Sequence, residues 1–441
     1  MEKIGLVSLG CAKNRVDAEM MLYKLKENGY EIVADEADGD AVIVNTCGFI
    51  ESAKTESIDE ILELAKLKKE GRIKAIIVTG CLAERYQKEI FKELYEVDAV
   101  IGIGANNDIV SVVQKALNGE KTECFPQKTL MPLDGGRLQT TPQAFAYLKV
   151  ADGCDNCCSY CAIPLIRGRF RSRKMESIIE EAKNLAENGV KELLVIAQDT
   201  TRYGEDIYGK LMLPELLREL CKIEKIHWIR LLYCYPDRIT DELIGLIASE
   251  EKILNYIDIP LQHCNKDILH AMNRQGGREI LTALLNKIRT KIPGVVLRTT
   301  FIAGFPGETE ENFVELSEFV NDIRFERTGC FTYSQEEDTK AAVMENQIPE
   351  DEKSRRQEIL VNQAQTIMDE FNRSLLGKTL TVLTEGYDRL AKVYFGRSYA
   401  DAPEVDGKVF FTTDNKKPIP GDFVEVKIND VIDGDPIGEM I

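Results

Sequence analysis

Near the N-terminus, short apolar runs at Ile4–Leu9, Ala41–Asn45 and Ala75–Thr79 alternate with longer stretches around Val16–Lys26, Ile50–Leu67 and Leu82–Leu94, whose apolar residues recur at helical spacing. Unbroken apolar runs between amphipathic helices predict βα units around a parallel sheet covered on both faces. The pattern therefore predicts an α/β domain over residues 1–118.

Residues 119–142 are polar and carry Pro126, Pro132, Gly135, Gly136 and Pro142, the composition of a linker. The alternation then resumes. Strand patterns at Phe145–Val150, Glu192–Ala197, Trp228–Tyr233, Tyr256–Pro260, Val295–Phe301 and Arg327–Tyr333 alternate with helical patterns at Met175–Glu187, Pro214–Lys222, Asp241–Ser249, Arg278–Lys291 and Glu310–Asp322. A long charged helix, Pro349–Leu376, closes this segment. Six consecutive βα units over residues 143–376 predict a partial or full (β/α) barrel, with its chemistry at the carboxyl ends of the strands. Residues 377–441 change character: short β-rich runs at Thr379–Thr384, Lys392–Phe395, Lys408–Thr412 and Asp422–Ile428, separated by Gly, Pro and Asp turns, predict a small antiparallel β-barrel.

Charge narrows the partners. The 441 residues include 56 Lys and Arg against 74 Asp and Glu, a formal charge of -18. That balance disfavours nonspecific binding to nucleic acid or anionic lipid, and either suits a basic partner or serves solubility alone. No apolar run reaches the roughly 20 residues of a membrane span. Met1-Glu2-Lys3-Ile4-Gly5 leads straight into a strand pattern without a signal-peptide core. A cytosolic protein is expected. In such a chain 12 cysteines read as metal or redox chemistry rather than a disulfide framework. With 3 histidines, His-rich metal sites and most His-dependent catalysis drop out, and no residue stands out as a catalytic acid or base.

Two cysteine constellations carry the chemistry. In Gly153-Cys154-Asp155-Asn156-Cys157-Cys158-Ser159-Tyr160-Cys161, the spacing C-x3-C-x2-C offers three thiolates just after the first strand of the barrel pattern. Three ligands on a four-iron cubane leave one iron open to bind and reduce a small molecule. Cys157 permits a second reading as two abutting C-x2-C pairs, but zinc sites set their pairs far apart in sequence. Cys157 is therefore read as a neighbour of the ligands. The second constellation is dispersed: Cys11, Cys47 and Cys81 each follow one of the first three strands, each beside a glycine. Neighbouring strands lie about 5 Å apart, so the three thiols should converge at one edge of the sheet, where open α/β folds bind ligands. Small buried residues at strand ends are the alternative. Cys124, Cys221, Cys234, Cys264 and Cys330 read as ordinary thiols, and His227 and His270 as ordinary histidines. His263 follows a barrel strand and is placed to line its mouth.

The Cys154/Cys158/Cys161 triad resembles that of the radical S-adenosylmethionine enzymes. Together with Cys11, Cys47 and Cys81 it is similar to the methylthiotransferases of that superfamily, over essentially the whole chain. Further matching stretches are Ala197–Gly204, Gly304-Phe305-Pro306-Gly307-Glu308-Thr309 and Tyr333-Ser334-Gln335-Glu336-Glu337. The resemblance implies two [4Fe-4S] clusters and S-adenosylmethionine as cofactors, and a C-terminal TRAM-like barrel. It also implies Tyr160 near the adenine. Gln198, Asp199, Thr200, Gly304 and Gly307 are candidate cofactor contacts at strand ends, although Gly304–Gly307 reads equally as a simple turn.

Within the family, one branch modifies an adenosine of tRNA and another an aspartate of the basic small-subunit ribosomal protein S-twelve. Residues 396–407, Gly396-Arg397-Ser398-Tyr399-Ala400-Asp401-Ala402-Pro403-Glu404-Val405-Asp406-Gly407, resemble the second branch. The C-terminal segment 377–441 carries 8 basic and 12 acidic residues, which on this reading should repel RNA and attract a basic protein. The run Arg167-Gly168-Arg169-Phe170-Arg171-Ser172-Arg173-Lys174 is basic and reads either as a phosphate contact or as helix-entry and barrel-mouth structure with carboxylate contacts to cofactor or substrate. The resemblance implies a 5'-deoxyadenosyl radical that removes hydrogen from an aspartate side chain, then transfer of a sulfur methylated by a second S-adenosylmethionine. Flavodoxin or ferredoxin is the implied electron donor. The rival readings are a tRNA methylthiotransferase, a two-cluster electron carrier or redox sensor, and an RNA-binding protein with structural clusters.

Overall fold

The computed structural model describes residues 1–414 and 417–441. Two compact units emerge: Met1–Thr140 with Ala151–Arg173 and Ser334–Ala342, and Thr141–Val150 with Lys174–Tyr333 and Val343–Ile441. The cysteine loop that follows the first barrel strand in sequence thus belongs to the same unit as the N-terminal residues.

In the first unit, strands β1 (Lys3–Ser8), β2 (Glu31–Ile32), β3 (Ala41–Thr46), β4 (Ala75–Gly80), β5 (Ala99–Ile101) and β6 (Thr122–Cys124) form one parallel sheet in the order β2-β1-β3-β4-β5-β6. Helices α1 (Ala12–Glu27), α2 (Glu51–Lys69), α3 (Cys81–Tyr86), α4 (Lys88–Glu93) and α5 (Ile109–Leu117) cover it. Strand residues alternate between two cores. Ile43 and Ile77 pack with Met21 and Leu25 of α1 and Val113 of α5. Val42, Val44 and Val78 pack with Ile61 and Leu64 of α2 and Leu82 of α3. Burial on both faces explains why these strands read as unbroken apolar runs. The helix expected over Leu82–Leu94 is two helices, broken at Gln87 with φ of 44°. The segment read as a linker contributes β6 to the sheet before it becomes irregular.

The second unit holds β7 (Phe145–Lys149), β10 (Glu192–Ile196), β11 (Trp228–Leu231), β12 (Ile253–Asp258), β13 (Val296–Ala303) and β14 (Arg327–Thr332), all parallel, in the order β14-β13-β12-β11-β10-β7. The barrel is therefore partial, an open sheet of six strands. A short antiparallel pair, β8 (Ala151–Asp152) with β9 (Arg171–Ser172), and helix α6 (Ile163–Arg167) belong to the first unit and frame its cysteine loop.

The C-terminal strands β15 (Thr379–Asp388), β16 (Val393–Arg397), β17 (Val409–Thr412), β18 (Phe423–Ile432) and β19 (Asp435–Met440) close a barrel around alternating Leu380 and Val382, Val409 and Phe411, and Val424 and Val426. The barrel is not wholly antiparallel as expected: β17 and β19 pair in parallel. It joins the parallel sheet through buried charge. Glu192 at the start of β10 binds Arg230 at 2.8 Å and Arg397 at 2.6 Å, all three side chains at most 2% exposed. Arg327 binds Asp401 at 2.7 Å, and the Tyr256 hydroxyl donates to Asp406 at 2.6 Å.

That arrangement corrects the charge argument. The motif Gly396–Gly407 turns inward, and its Asp401 and Asp406 are matched by groups of the parallel sheet. Among the described residues of 377–441, the exposed charges are 7 acidic and 6 basic, so the outer face of this barrel is close to neutral. Lys416, counted in the sequence balance, lies outside the described residues.

Candidate metal centres

Sheet order reverses between β1 and β3, with β2 on the far side of β1. In open α/β sheets this switch point opens a crevice beyond the carboxyl ends of the strands. Cys11 and Cys47 flank it. Register aligns Ser8 with Asn45 and Thr46 with Gly80, so Cys47 and Cys81, each the next residue, leave the sheet at one level. Cys11 occupies the N-cap of α1, its carbonyl accepting from the amides of Asn14 at 2.9 Å and Arg15 at 3.1 Å.

Two glycines let the three strand-end loops abut. Gly10 has φ of 87°, and a β-carbon there would lie 2.9 Å from Cys47 Sγ. A β-carbon on Gly48 would lie 2.8 Å from the Leu82 backbone, next to Cys81. Buried polar groups fix this arrangement. Asn14 Nδ2 donates to the carbonyls of Leu9 at 2.8 Å and Thr46 at 3.2 Å, tying α1 to two strand ends. Ser57 accepts from the Cys47 amide at 3.1 Å and donates to its carbonyl at 3.0 Å. Neither residue was singled out from sequence. Asn14 gave no signal of its own among the polar Lys13, Arg15 and Asp17 beside it.

The three thiols sense one another. Burial pushes Cys47 up to about 12, and the charges of Cys81 and Cys11 act in the same direction. Burial also raises Cys81, against the pull of Arg167. At Cys11 burial acts upward too, but Lys13, Arg167 and the amides of Asn14 and Lys13 outweigh it and hold the thiol below its ordinary value. Among the described residues, no three His, Cys, Asp or Glu side chains close around a single ion. A cubane spreads its thiolate ligands over a larger body than one ion. Three thiols on loops brought together at Gly10 and Gly48, beside a buried guanidinium, fit such a group.

The second triad lies on the loop between β8 and α6. Cys154, Cys158 and Cys161 are half-buried, while Cys157 is exposed with φ of 51°, a left-handed turn position. The loop is held by the Cys154 amide on the Gly168 carbonyl at 3.1 Å and the Cys161 amide on the Cys158 carbonyl at 3.0 Å. Three ligands are the number that leaves one iron of a cubane open. Tyr160 is half-buried on the same loop.

In the second unit, Gln198 is half-buried just past β10. Asp199 accepts from Thr201 Oγ1 at 2.6 Å and pairs with Arg238 at 3.2 Å. Thr200 Oγ1 donates to the Leu232 carbonyl at 2.8 Å, pinning this turn to the end of β11. The Gly304–Glu308 turn is braced from within: the amides of Gly304 and Phe305 donate to the buried Glu308 carboxylate, and a β-carbon on Gly304 would strike Lys353. Gly307 faces open space at φ of 83°. His263 is fully buried; its Nδ1 accepts from the Asn265 amide at 2.9 Å, and burial followed by the charge of Arg356 depresses its pKa to about 3.

The basic run after the triad is largely engaged inside the first unit. Arg167 binds Asp17 at 2.6 Å and Asp152 at 3.0 Å, Arg171 donates to the Thr129 carbonyl at 2.7 Å, and Arg173 binds Asp134 at 2.8 Å. Carboxylate and backbone partners favour the structural reading of this run over phosphate contact.

Comparison with known proteins follows the same division. Residues 3–102 match the model of uncharacterized protein family UPF0004, residues 148–320 the radical SAM superfamily and residues 376–441 the TRAM domain. Among solved structures, the chain is similar to TsrM from Kitasatospora setae, a radical S-adenosylmethionine methyltransferase, with a TM-score of 0.55, 14% identity and 75% of each chain covered. That likeness concerns the fold. The family matches, together with full-length relatives named methylthiotransferases, define a radical S-adenosylmethionine enzyme of the methylthiotransferase class, a superfamily whose members use a [4Fe-4S] cluster and S-adenosylmethionine. The proteins named ribosomal protein uS12 methylthiotransferase RimO from Caldanaerobacter subterraneus and from Thermoanaerobacter sp. are 54% and 51% identical over 440 residues, with 100% of each chain covered. The chain belongs to the RimO family. No helix among the described residues is long and apolar enough to cross a membrane.

Proposed function

We propose that this chain transfers a methylthio group to an unactivated carbon of an aspartate side chain on ribosomal protein uS12, in the cytoplasm. The observation that carries the reading is the convergence of Cys11, Cys47 and Cys81 at the β1/β3 switch point, in the same unit as the Cys154–Cys161 loop. Cys154, Cys158 and Cys161 would hold one [4Fe-4S] cluster, and Cys11, Cys47 and Cys81 would hold a second. When bound, these groups would supply one-electron radical chemistry and a transferable sulfur.

The chain's own groups position and shield. Gly10 and Gly48 let the ligand-bearing loops approach one another, while Asn14 and Ser57 fix those loops. Asp199 and Thr200 hold the end of β10, so Gln198 is presented at a fixed point as a cofactor contact. Tyr160, half-buried on the cysteine loop, would contact the adenine, and Gly304 and Gly307 shape a turn at the end of β13. No acid–base pair is required for hydrogen removal, in keeping with the burial of His263 in neutral form. A flavodoxin or ferredoxin supplies the electron.

The acceptor rests on full-length likeness to RimO proteins rather than on charge, since the outer face of the C-terminal barrel is nearly balanced. Incubating reconstituted enzyme, reductant and S-adenosylmethionine with uS12 and, separately, with tRNA tests it. A mass gain of one methylthio group less one hydrogen on uS12 is expected. Gain on tRNA alone contradicts the assignment.

A further inference from the structure

Arg167 is 2% exposed at the end of α6, and Asp17, Asp152, Asn14 and Cys81 surround it within the first unit. Its Nη1 donates to Asp17 at 2.6 Å and to Asp152 at 3.0 Å. Its Nη2 donates to Asn14 Oδ1 at 3.1 Å and lies 3.6 Å from Cys81 Sγ, within reach of the larger sulfur atom. The two carboxylates occupy one side of the guanidinium fork and turn the other toward the sulfur. A simple ion pair needs only one carboxylate and leaves the fork free to rotate; this one is orientated. The partners also lie on the elements that carry both cysteine triads. Asn14 and Asp17 are on the helix capped by Cys11, Cys81 begins α3, Asp152 precedes Cys154, and Arg167 itself follows Cys161 in α6.

We infer that Arg167 is a positioning and tuning residue for the second cluster, donating its Nη2–H to the Cys81 sulfur and raising that cluster's reduction potential. The inference rests on the proposal that Cys11, Cys47 and Cys81 hold a cluster. A hydrogen bond to a ligating thiolate stabilises the reduced, more negative state more than the oxidised one, so potential rises with it. Lysine keeps the charge but has no planar fork to satisfy both carboxylates and the sulfur together.

The test compares anaerobically reconstituted wild type with Arg167→Lys and Arg167→Met. Iron analysis is followed by redox titration with electron paramagnetic resonance. Adding S-adenosylmethionine perturbs the signal of the cluster on Cys154, Cys158 and Cys161 and so distinguishes it from the other. Arg167→Met should hold about eight irons per chain yet titrate more negatively at the second cluster. Loss of one charged hydrogen bond amounts to about tenfold in the reduction equilibrium, which for one electron is about 59 mV. Arg167→Lys should fall between. An unchanged midpoint at full iron overturns the inference. If Arg167→Met fails to retain iron, pulsed resonance on wild type labelled with 15N-arginine decides the matter: a nitrogen coupling on the second cluster's signal supports the hydrogen bond, and its absence refutes it. A wild type with about four irons and no second signal would overturn the two-cluster reading itself, and the inference with it.

Discussion

A β-carbon at Gly10 would stand 2.9 Å from the sulfur of Cys47, so the loops after β1 and β3 meet where any side chain would part them. The φ of 87° at Gly10 adds a backbone cost for any other residue. Gly10→Val should therefore displace Cys47 and cost the protein its second cluster. Iron per chain should drop from about eight to about four, while S-adenosylmethionine is still cleaved to 5'-deoxyadenosine. Iron and sulfide analysis beside that cleavage assay checks both halves.

Cys157 is exposed in a left-handed turn, whereas Cys158 is half-buried. Cys157→Asn suits that backbone and should leave iron content and 5'-deoxyadenosine formation unchanged. Cys158→Ala should abolish the cleavage. Equal loss from both substitutions would overturn the C-x3-C-x2-C assignment.

Glu192 pairs with two buried arginines, Arg230 and Arg397, between the parallel sheet and the C-terminal barrel, and Glu385 gives Arg397 a second carboxylate. Glu192→Ala leaves Arg230 with the Tyr399 and Ser398 carbonyls but no carboxylate, and Arg397 with Glu385 alone. Removing one member of a buried ionic network costs about 3–5 kcal/mol, and a denaturation midpoint lowered accordingly is expected. A shift confined to a few tenths of a kcal/mol would mean that water or other groups already compensate these charges.

His263 is held neutral in the fold, with a pKa of about 3, against about 6.5 when unfolded. Between these values the unfolded chain binds the extra proton, so stability falls as pH is lowered below about 6.5, at up to about 1.4 kcal/mol per pH unit. The difference in unfolding free energy between wild type and His263→Gln, followed from pH 7 to about 4.5, isolates this residue from other titrating groups. The gap should narrow as pH falls. A gap independent of pH would contradict the assignment.

The sequence made the long buried strands and both cysteine triads legible, because unbroken apolar runs and repeated strand-end positions are strong local signals. It missed β2 and β5, whose two and three residues carry little pattern, and β19, where Pro436 and Gly438 resemble a turn. It also misread charge. Asp401 and Asp406 count as acidic in a sum over residues, but packing against Arg327, Tyr256 and Arg298 removes them from the surface. The role of Arg167 was hidden for the same reason, since its partners Asp17, Asp152 and Cys81 lie far from it in sequence or on another element.

The division of labour between the two triads is the centre of the account. The direct test is the Cys11→Ala, Cys47→Ala, Cys81→Ala triple variant, incubated with reductant, S-adenosylmethionine and uS12, with iron, 5'-deoxyadenosine and product mass read from one reaction. The account predicts about four irons per chain, continued formation of 5'-deoxyadenosine and no methylthio gain on uS12. Methylthio transfer by that variant, or loss of all its iron, would contradict it.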